Sequence, residues 1–412
     1  MYFPIDEVYL KYISVIELVD ISLLKMSLEK EPNSVESILK RLNEKDFKQV
    51  WRILYGDGTE ELKMSEKCLK LATRYKVELV SCKFRKIQDE QIRNTRMVKV
   101  GLFQQKLPVP LTNPIRRVKM AMYTLAMDAI KVAAKGGVNI FCLQQAWNMP
   151  YAFCKGEKLP WCDYAENAED GPTTRILQAL AAENKMVIIS TILERDENCE
   201  DNIWNTAVVI DNHGNYLGKH RRNHIPKVEN ANEPTYYCEG NTGHPVFKTE
   251  YGKIAVNICY GRHIPLNWIG FALNGAEIVF NPCAAIGDYN EPLWGIEARN
   301  AAIANGYFVC AINRVGTEIY EHEYEDEEGN KEFHKDSGHF FGSTYVAAPN
   351  GTRSPGLSRT KDGLLIAEFD LNMCRQIKDE RGFDVTQRLQ LYQELLSNIM
   401  KTDFKPQIIK KR

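Results

Sequence analysis

No part of the 412-residue chain combines the length and apolarity of a membrane span. The most apolar N-terminal run, Tyr9 to Leu24, is interrupted by Lys11, Glu17 and Asp20. It falls short of the roughly 18–20 uncharged residues that a crossing helix needs. No basic start with a small-residue cleavage site accompanies it, so it reads as an amphipathic helix, with a targeting role or a second start at Met26 as the minor alternatives. Paired cysteines are lacking too. The 11 cysteines are odd in number, scattered, and contain no C-x-x-C pair, which excludes a secreted disulfide framework and a zinc ribbon. Free thiols in a reducing, cytoplasmic setting fit instead. Surplus charge is also missing. With 53 basic and 54 acidic side chains the net charge is −1, so nothing electrostatic points to nucleic acid or an anionic membrane as a partner.

What is present changes character along the chain. The first 95 residues hold few glycines and many charges. Apolar residues recur at helical spacing after Ser34 or Asn33, then through Lys45 to Leu54 and Glu61 to Tyr75, which predicts a helical extension that packs on a neighbour or serves assembly. From Thr95 the texture becomes strand–helix alternation. Met97 to Phe103 reads as a buried strand, Arg117 to Ala134 as a long helix closed by Gly136-Gly137, and Val138 to Leu143 as the next strand. Thr173 to Asn184 is helical and Met186 to Ile192 is a strand. Strands follow at Trp204–Asp211 and Tyr216–Asn223, joined by a turn at Asn212-His-Gly-Asn215. Later come strand Lys253–Cys259, helix Leu266–Asn274, strand Ile278–Phe280, helix Glu297–Asn305 and strand Phe308–Asn313. The chain closes with strands at Ser343–Ala347 and Leu364–Asp370. Alternation with continuous apolar strands predicts an α/β fold whose sheets are covered by helices. Arg195–Asn202 and Glu318–Ser337 read as long polar loops, and Lys401–Arg412 as a solvated basic tail.

Three features bear on chemistry. Cys259 ends an apolar strand and runs at once into Tyr260-Gly261-Arg262, a turn that can present a nucleophile at a sheet edge. A buried structural cysteine is the plainer reading of that feature alone. His220 and His224 have the spacing of a metal pair only on a helix. On a strand, four residues span roughly 13 Å, too far for one ion. The small residues Asn281 to Gly287 read as a tight turn, which would line a site at the C-terminal edge of the sheet.

Several longer segments carry a family resemblance. Asn257-Ile-Cys259-Tyr-Gly-Arg262-His-Ile-Pro-Leu-Asn-Trp resembles the nucleophile segment of the β-ureidopropionases in the nitrilase (carbon-nitrogen hydrolase) superfamily. Similar in the same way are Ala168–Arg175, Trp204–Ile210, Glu297–Asn305, Ala311–Thr317 and Ser354–Arg359, and in the extension Arg52-Ile-Leu-Tyr-Gly56. The resemblance implies a four-layer α-β-β-α sandwich: a helical extension over 1–95, a hydrolase domain over 96–392, and a helix end with a basic tail over 393–412. It implies homo-oligomers built from dimers and no metal or organic cofactor. The implied reaction is cysteine attack on the carbamoyl carbon of an N-carbamoyl β-amino acid, giving a β-amino acid, carbon dioxide and ammonia. Carried over residue by residue, Cys259 matches the nucleophile and Glu233 the second glutamate. Arg262 and Lys158 match positions that hold the substrate carboxylate, with Tyr260 beside them.

Two carried positions depart from the pattern. The base glutamate is replaced by Gln145 in Leu143-Gln-Gln-Ala-Trp147, and the oxyanion lysine by Arg222 in Gly218-Lys-His-Arg-Arg-Asn-His-Ile-Pro226. A glutamine amide cannot take and return a proton near neutral pH. Arginine keeps the charge but is forked and planar where a compact ammonium is expected. Lys219 faces away from Arg222 by strand alternation and is no substitute, whereas Glu233 would be a surrogate base if it reached Cys259. The expectation is strongly impaired hydrolysis, with a Cys259 no more reactive than an ordinary exposed thiol. The alternative is a non-catalytic homologue that serves as a ligand-binding or structural subunit.

Overall fold

Strands buried on both faces need apolar residues at every position, and the runs from Met97 onward supply them. The computed structural model describes residues 32–56, 58–153, 158–199, 201–227, 233–319, 323–325, 331–333 and 339–410. The helix expected at Tyr9–Leu24 and part of the 318–337 loop lie outside them. Among the described residues, no helix is long and apolar enough to cross a membrane.

The extension begins with a short helix α1 (Val35–Leu39), whose Ser34 side chain accepts from the Ser37 N–H as the expected cap. Helices α2 (Glu44–Tyr55) and α3 (Glu66–Arg74) follow. Between and after them the extension also makes strands β1 (Thr59–Glu61) and β2 (Glu78–Phe84), which its charge-rich sequence did not suggest.

The main body then runs β3 (Met97–Gln104), α4 (Ile115–Lys135), β4 (Ile140–Leu143), α5 (Pro172–Asn184), β5 (Val187–Asp196), β6 (Asn202–Ile210) and β7 (Tyr216–Arg221). Its second half runs β8 (Phe247–Thr249), β9 (Gly252–Val256), α6 (Pro265–Leu273), β10 (Ile278–Cys283), α7 (Gly287–Asn305) and β11 (Phe308–Asn313). Strands β12 (Val315–Thr317), β13 (Glu323–Glu325), β14 (Lys331–Phe333), β15 (His339–Phe341), β16 (Tyr345–Ala347) and β17 (Gly363–Asp370) precede helices α8 (Asn372–Arg381) and α9 (Leu389–Ile399). Hence the loop predicted over 318–337 contains the paired strands β13 and β14. Helix α7 begins well before Glu297, with Pro292 inside it, the residue that hid its first turns.

Two sheets result. One has eight strands in the order β1-β2-β17-β3-β4-β5-β6-β7, the other five in the order β16-β11-β10-β9-β8. Alternate residues of the larger sheet sort into two cores, as a side-chain period of two requires. Val100, Leu102, Ile140, Cys142, Ile189 and Val209 face the smaller sheet in one cluster. Phe103, Phe141, Leu143, Ile188 and Val208 pack instead on Tyr123, Ala126 and Ile130 of α4 and on Leu177 of α5 in another. Trp268 and Phe271 of α6, with Ala298 and Ala302 of α7, close the far side of the smaller sheet. This is the expected four-layer α-β-β-α arrangement. The sheets are tied by Phe308 of β11 stacked on Phe369 of β17, with centroids 3.9 Å apart, and by Phe84 of β2 set edge-on to both. Each such ring contributes roughly 1.5–3 kcal/mol by burial.

Candidate active site

The site lies where the C-terminal ends of β4, β7, β9 and β10 converge. Strand β9 stops at Val256, earlier than predicted, and the side chain of Asn257 ties down the turn that follows. Its Nδ2 donates to the Gly261 carbonyl (3.3 Å) and its Oδ1 accepts from Asn267 Nδ2 (2.6 Å). Gly261 is required there, since a Cβ would meet both Asn side chains. The chain then turns through a short 3-10 segment, Cys259–His263, with Cys259 itself at φ +45°. A non-glycine residue in the left-handed region is strained, and such strain concentrates at functional sites. Across the site Ala146, next to Gln145, shares that conformation at φ +45°.

Cys259 is buried, 6% exposed. The neighbouring Cys283, with the charges of Arg222 and Arg262, holds its thiol well below the usual 9.0, against the opposing effect of burial. Cys283 moves the other way, raised well above that value by burial and by its neighbour Cys259. The direction of this shift differs from the expectation of an ordinary thiol. The neighbouring Cys283 and two guanidinium charges favour the thiolate form of the sulfur.

Gln145 is fully buried. Its Oε1 accepts from the Ala284 N–H at 3.0 Å, and its Nε2 has no partner among the described residues. The segment after Asn281 does line the site, as expected, although Asn281 to Cys283 still belong to β10. Arg222 is also buried. Its Nη1 donates to Glu233 and to the Tyr237 hydroxyl (2.6 Å), while its Nε and Nη2 are unpartnered among the described residues. Lys219, on the opposite face as predicted, pairs with Glu194 and with Asp196 (3.3 Å).

Glu233 enters from a short 3-10 turn and is 1% exposed. Burial pushes its carboxyl up to about 7, although Arg222 and the Tyr151 hydroxyl, which donates to Oε1 at 3.0 Å, pull the other way. Tyr151 and Tyr237 were invisible to sequence reading, because loops alone bring them to the carboxylate. Arg314 fixes one of these loops. Its Nη1 and Nη2 donate to the carbonyls of Ala146 (3.3 Å) and Met149 (2.8 Å), and it pairs with Glu318 (2.5 Å). Glu318 in turn accepts from the Tyr151 N–H at 2.7 Å.

The residues expected to hold a carboxylate part company. Arg262 is in the cluster, but Nε already donates to Glu297 (2.9 Å) and Nη2 to Asn290 (2.6 Å), while Nη1 lies 3.9 Å from the Cys283 sulfur. Glu297 also meets His263 at 2.5 Å, whose ring packs edge-on to that of the half-buried Tyr260. Lys158 is exposed, outside the buried cluster, with its carbonyl accepting from the Cys162 N–H. His220 is buried against Phe271, with Nδ1 3.0 Å from the Thr242 hydroxyl, and burial holds its ring down at about 3. Among the described residues no group of three or more His, Cys, Asp or Glu side chains is placed to hold a metal.

Residues 111–379 match the family model described as carbon-nitrogen hydrolase. The chain is 50% identical over 367 residues to the beta-ureidopropionase of Arabidopsis thaliana, covering 88% of this chain and 89% of that one. It is 32% identical over 277 residues to the N-carbamoylputrescine amidase of Solanum lycopersicum, covering 65% of this chain and 87% of the relative. Among solved structures, the carbon-nitrogen hydrolase from Helicobacter pylori G27 aligns with a TM-score of 0.61 at 25% identity, covering 73% of this chain and 98% of that one.

Proposed function

The chain belongs to the carbon-nitrogen hydrolase family, and from that premise we propose that it hydrolyses an N-carbamoyl β-amino acid such as N-carbamoyl-β-alanine, with Cys259 as nucleophile and with turnover limited by proton transfer. The observation that carries this reading is Cys259, in a strained turn between the Arg222 and Arg262 charges. The thiolate attacks the carbamoyl carbon. Arg222 Nε and Nη2 and Gln145 Nε2, unpartnered among the described residues, are the donors available to the oxyanion. Ammonia must leave with a proton, and Gln145 has none to give. Glu233, raised to about 7, is the remaining carboxyl in the cluster that exchanges protons near neutral pH. Its two oxygens are engaged by Tyr151 and Arg222, so each proton transfer through it breaks one of those bonds.

The substrate carboxylate is assigned to Arg262 with Lys158, as the resemblance implies, and Arg262 would have to exchange Glu297 for it. A homo-oligomer in the cytoplasm is proposed on the same footing. On α9, Leu389, Tyr392, Leu395, Leu396 and Ile399 are all exposed, a face suited to assembly. The ten described cysteines are free thiols, which suits a reducing compartment.

The test is ammonia release from N-carbamoyl-β-alanine by the chain as it stands and by the double variant Gln145→Glu with Arg222→Lys. Slow release that the double variant accelerates is expected. Equal rates would remove Gln145 and Arg222 as the limit. A double variant that binds the compound and releases nothing would favour a ligand-binding role.

A further inference from the structure

Hydrolysis leaves one thiol beside the nucleophile without chemistry of its own, that of Cys283. Strands β9 and β10 pair in parallel with Ile254 opposite Ile278, Ala255 opposite Val279 and Val256 opposite Phe280. One further backbone bond, from the Asn257 N–H to the Phe280 carbonyl at 2.8 Å, holds the turn that carries Cys259 against the end of β10, where Cys283 sits. Asn281 Nδ2 bridges the two segments, reaching the carbonyls of Asn257 and Cys259 (3.5 Å to the latter). Both residues are buried, the Cys283 thiol lies 3.2 Å from Asn281 Oδ1, and Cys259 and Cys283 are close enough to shift each other's ionisation in opposite directions. Arg262 Nη1, 3.9 Å from the Cys283 sulfur, supplies a positive charge beside the second thiol as well.

We propose that this pair is a dithiol oxidation site, in which a hydroperoxide oxidises Cys259 and Cys283 resolves the product as a reversible Cys259–Cys283 disulfide. In the first step the Cys259 thiolate attacks the peroxide O–O bond. A sulfur–oxygen bond forms, the oxygen–oxygen bond breaks, and the leaving oxygen departs as water after taking one proton. Cys259 becomes a sulfenic acid, oxidised by two electrons as the peroxide is reduced. In the second step the Cys283 sulfur attacks the sulfenic sulfur. The S–S bond forms, the S–O bond breaks, and the hydroxyl leaves as water with the Cys283 proton. Two thiols and one hydroperoxide thus give one disulfide, water and the alcohol or water of the peroxide. The neighbour stops oxidation before the irreversible sulfinic stage, and a thiol reductant restores the site. The inference needs a reactive Cys259 but not hydrolysis, so the two stand or fall separately.

The test exposes the full chain to a slight excess of hydrogen peroxide, quenches with a maleimide, and reads intact mass and peptide maps. The expected result is loss of two hydrogens, a 259–283 cross-linked peptide, and loss of Cys259 alkylation that a thiol reductant reverses. In Cys283→Ser, Cys259 is expected to gain two or three oxygens, with alkylation no longer recoverable. Removing the exposed Cys238 as Cys238→Ser is expected to leave the cross-link intact. The proposal is overturned if Cys259 in the unaltered chain reaches the sulfinic acid while Cys283 stays free. It is equally overturned if Cys259 links to another cysteine, or stays unoxidised where Cys238 is oxidised. Should Cys283→Ser fail to fold, the peptide map of the unaltered chain decides alone.

Discussion

Gln145 Oε1 accepts from the backbone N–H of Ala284 at 3.0 Å, so the amide stands in the site as a hydrogen-bonding group and not as a proton carrier. A carboxylate can accept the same bond. Gln145→Glu therefore keeps the geometry and adds a base. Ammonia release from N-carbamoyl-β-alanine is expected to rise roughly 10²–10⁴-fold, the usual range for general acid–base catalysis. No rise would mean that proton transfer at this position is not limiting.

Cys259 is expected to alkylate with iodoacetamide at mildly acidic pH, where an ordinary thiol of pKa about 8.5 is almost inert. The cause is the neighbouring Cys283 together with the Arg222 and Arg262 charges, so Arg222→Met should move the midpoint of the alkylation profile upward. Arg222→Lys should largely hold it. A midpoint at the ordinary thiol value in the unaltered chain would contradict the electrostatic account.

Fold and site were unequally legible in the sequence, and the residues show why. Phe308 to Asn313 reads correctly end to end because every position is buried and all but Asn313 are apolar. Glu78 to Phe84 did not, since Glu78 and Lys83 sit on a strand at the margin of the sheet, where partial exposure tolerates charge. Cys259, Gln145, Arg222 and Glu233 were identified through segments of matching sequence. Their surroundings were not, because Tyr151, Tyr237 and Cys283 reach them only through loop paths and strand register. A lone Tyr or Cys carries no spacing signal of its own.

Glu233 ties stability to pH. Burial first, against the pull of Arg222, raises its carboxyl from 4.5 in the unfolded reference to about 7. The native state holds that proton more tightly, so the group's stabilising contribution is full below 4.5 and lost as pH rises through about 7. Melting temperatures of the unaltered chain and Glu233→Gln, compared across that interval, should show the unaltered chain losing ground as pH rises. A gain would reverse the sign and with it the assignment of burial as the cause.

Arg314 is expected to matter for stability and for the site together. Arg314→Met removes the positive charge paired with a buried Glu318 and the guanidinium bonds to the carbonyls of Ala146 and Met149. Breaking a buried pair from one side costs about 3–5 kcal/mol, which denaturant unfolding would register. Because the same loop carries Tyr151, the pH dependence of any residual turnover should shift as well.

The place of β17 bears on how the chain is made. The last strand of the large sheet to leave the ribosome lies between β2 and β3, parallel to one and antiparallel to the other. Until residues near Asp370 emerge, the nascent chain keeps one edge of β3 open, with Val98, Val100 and Leu102 along it, and β2 has no sheet to join. Such an unpaired apolar edge invites pairing with another chain. The protein thus spends most of its synthesis in a form that an attendant chaperone has reason to bind, and its N-terminal extension becomes part of the sheet only when its far end arrives.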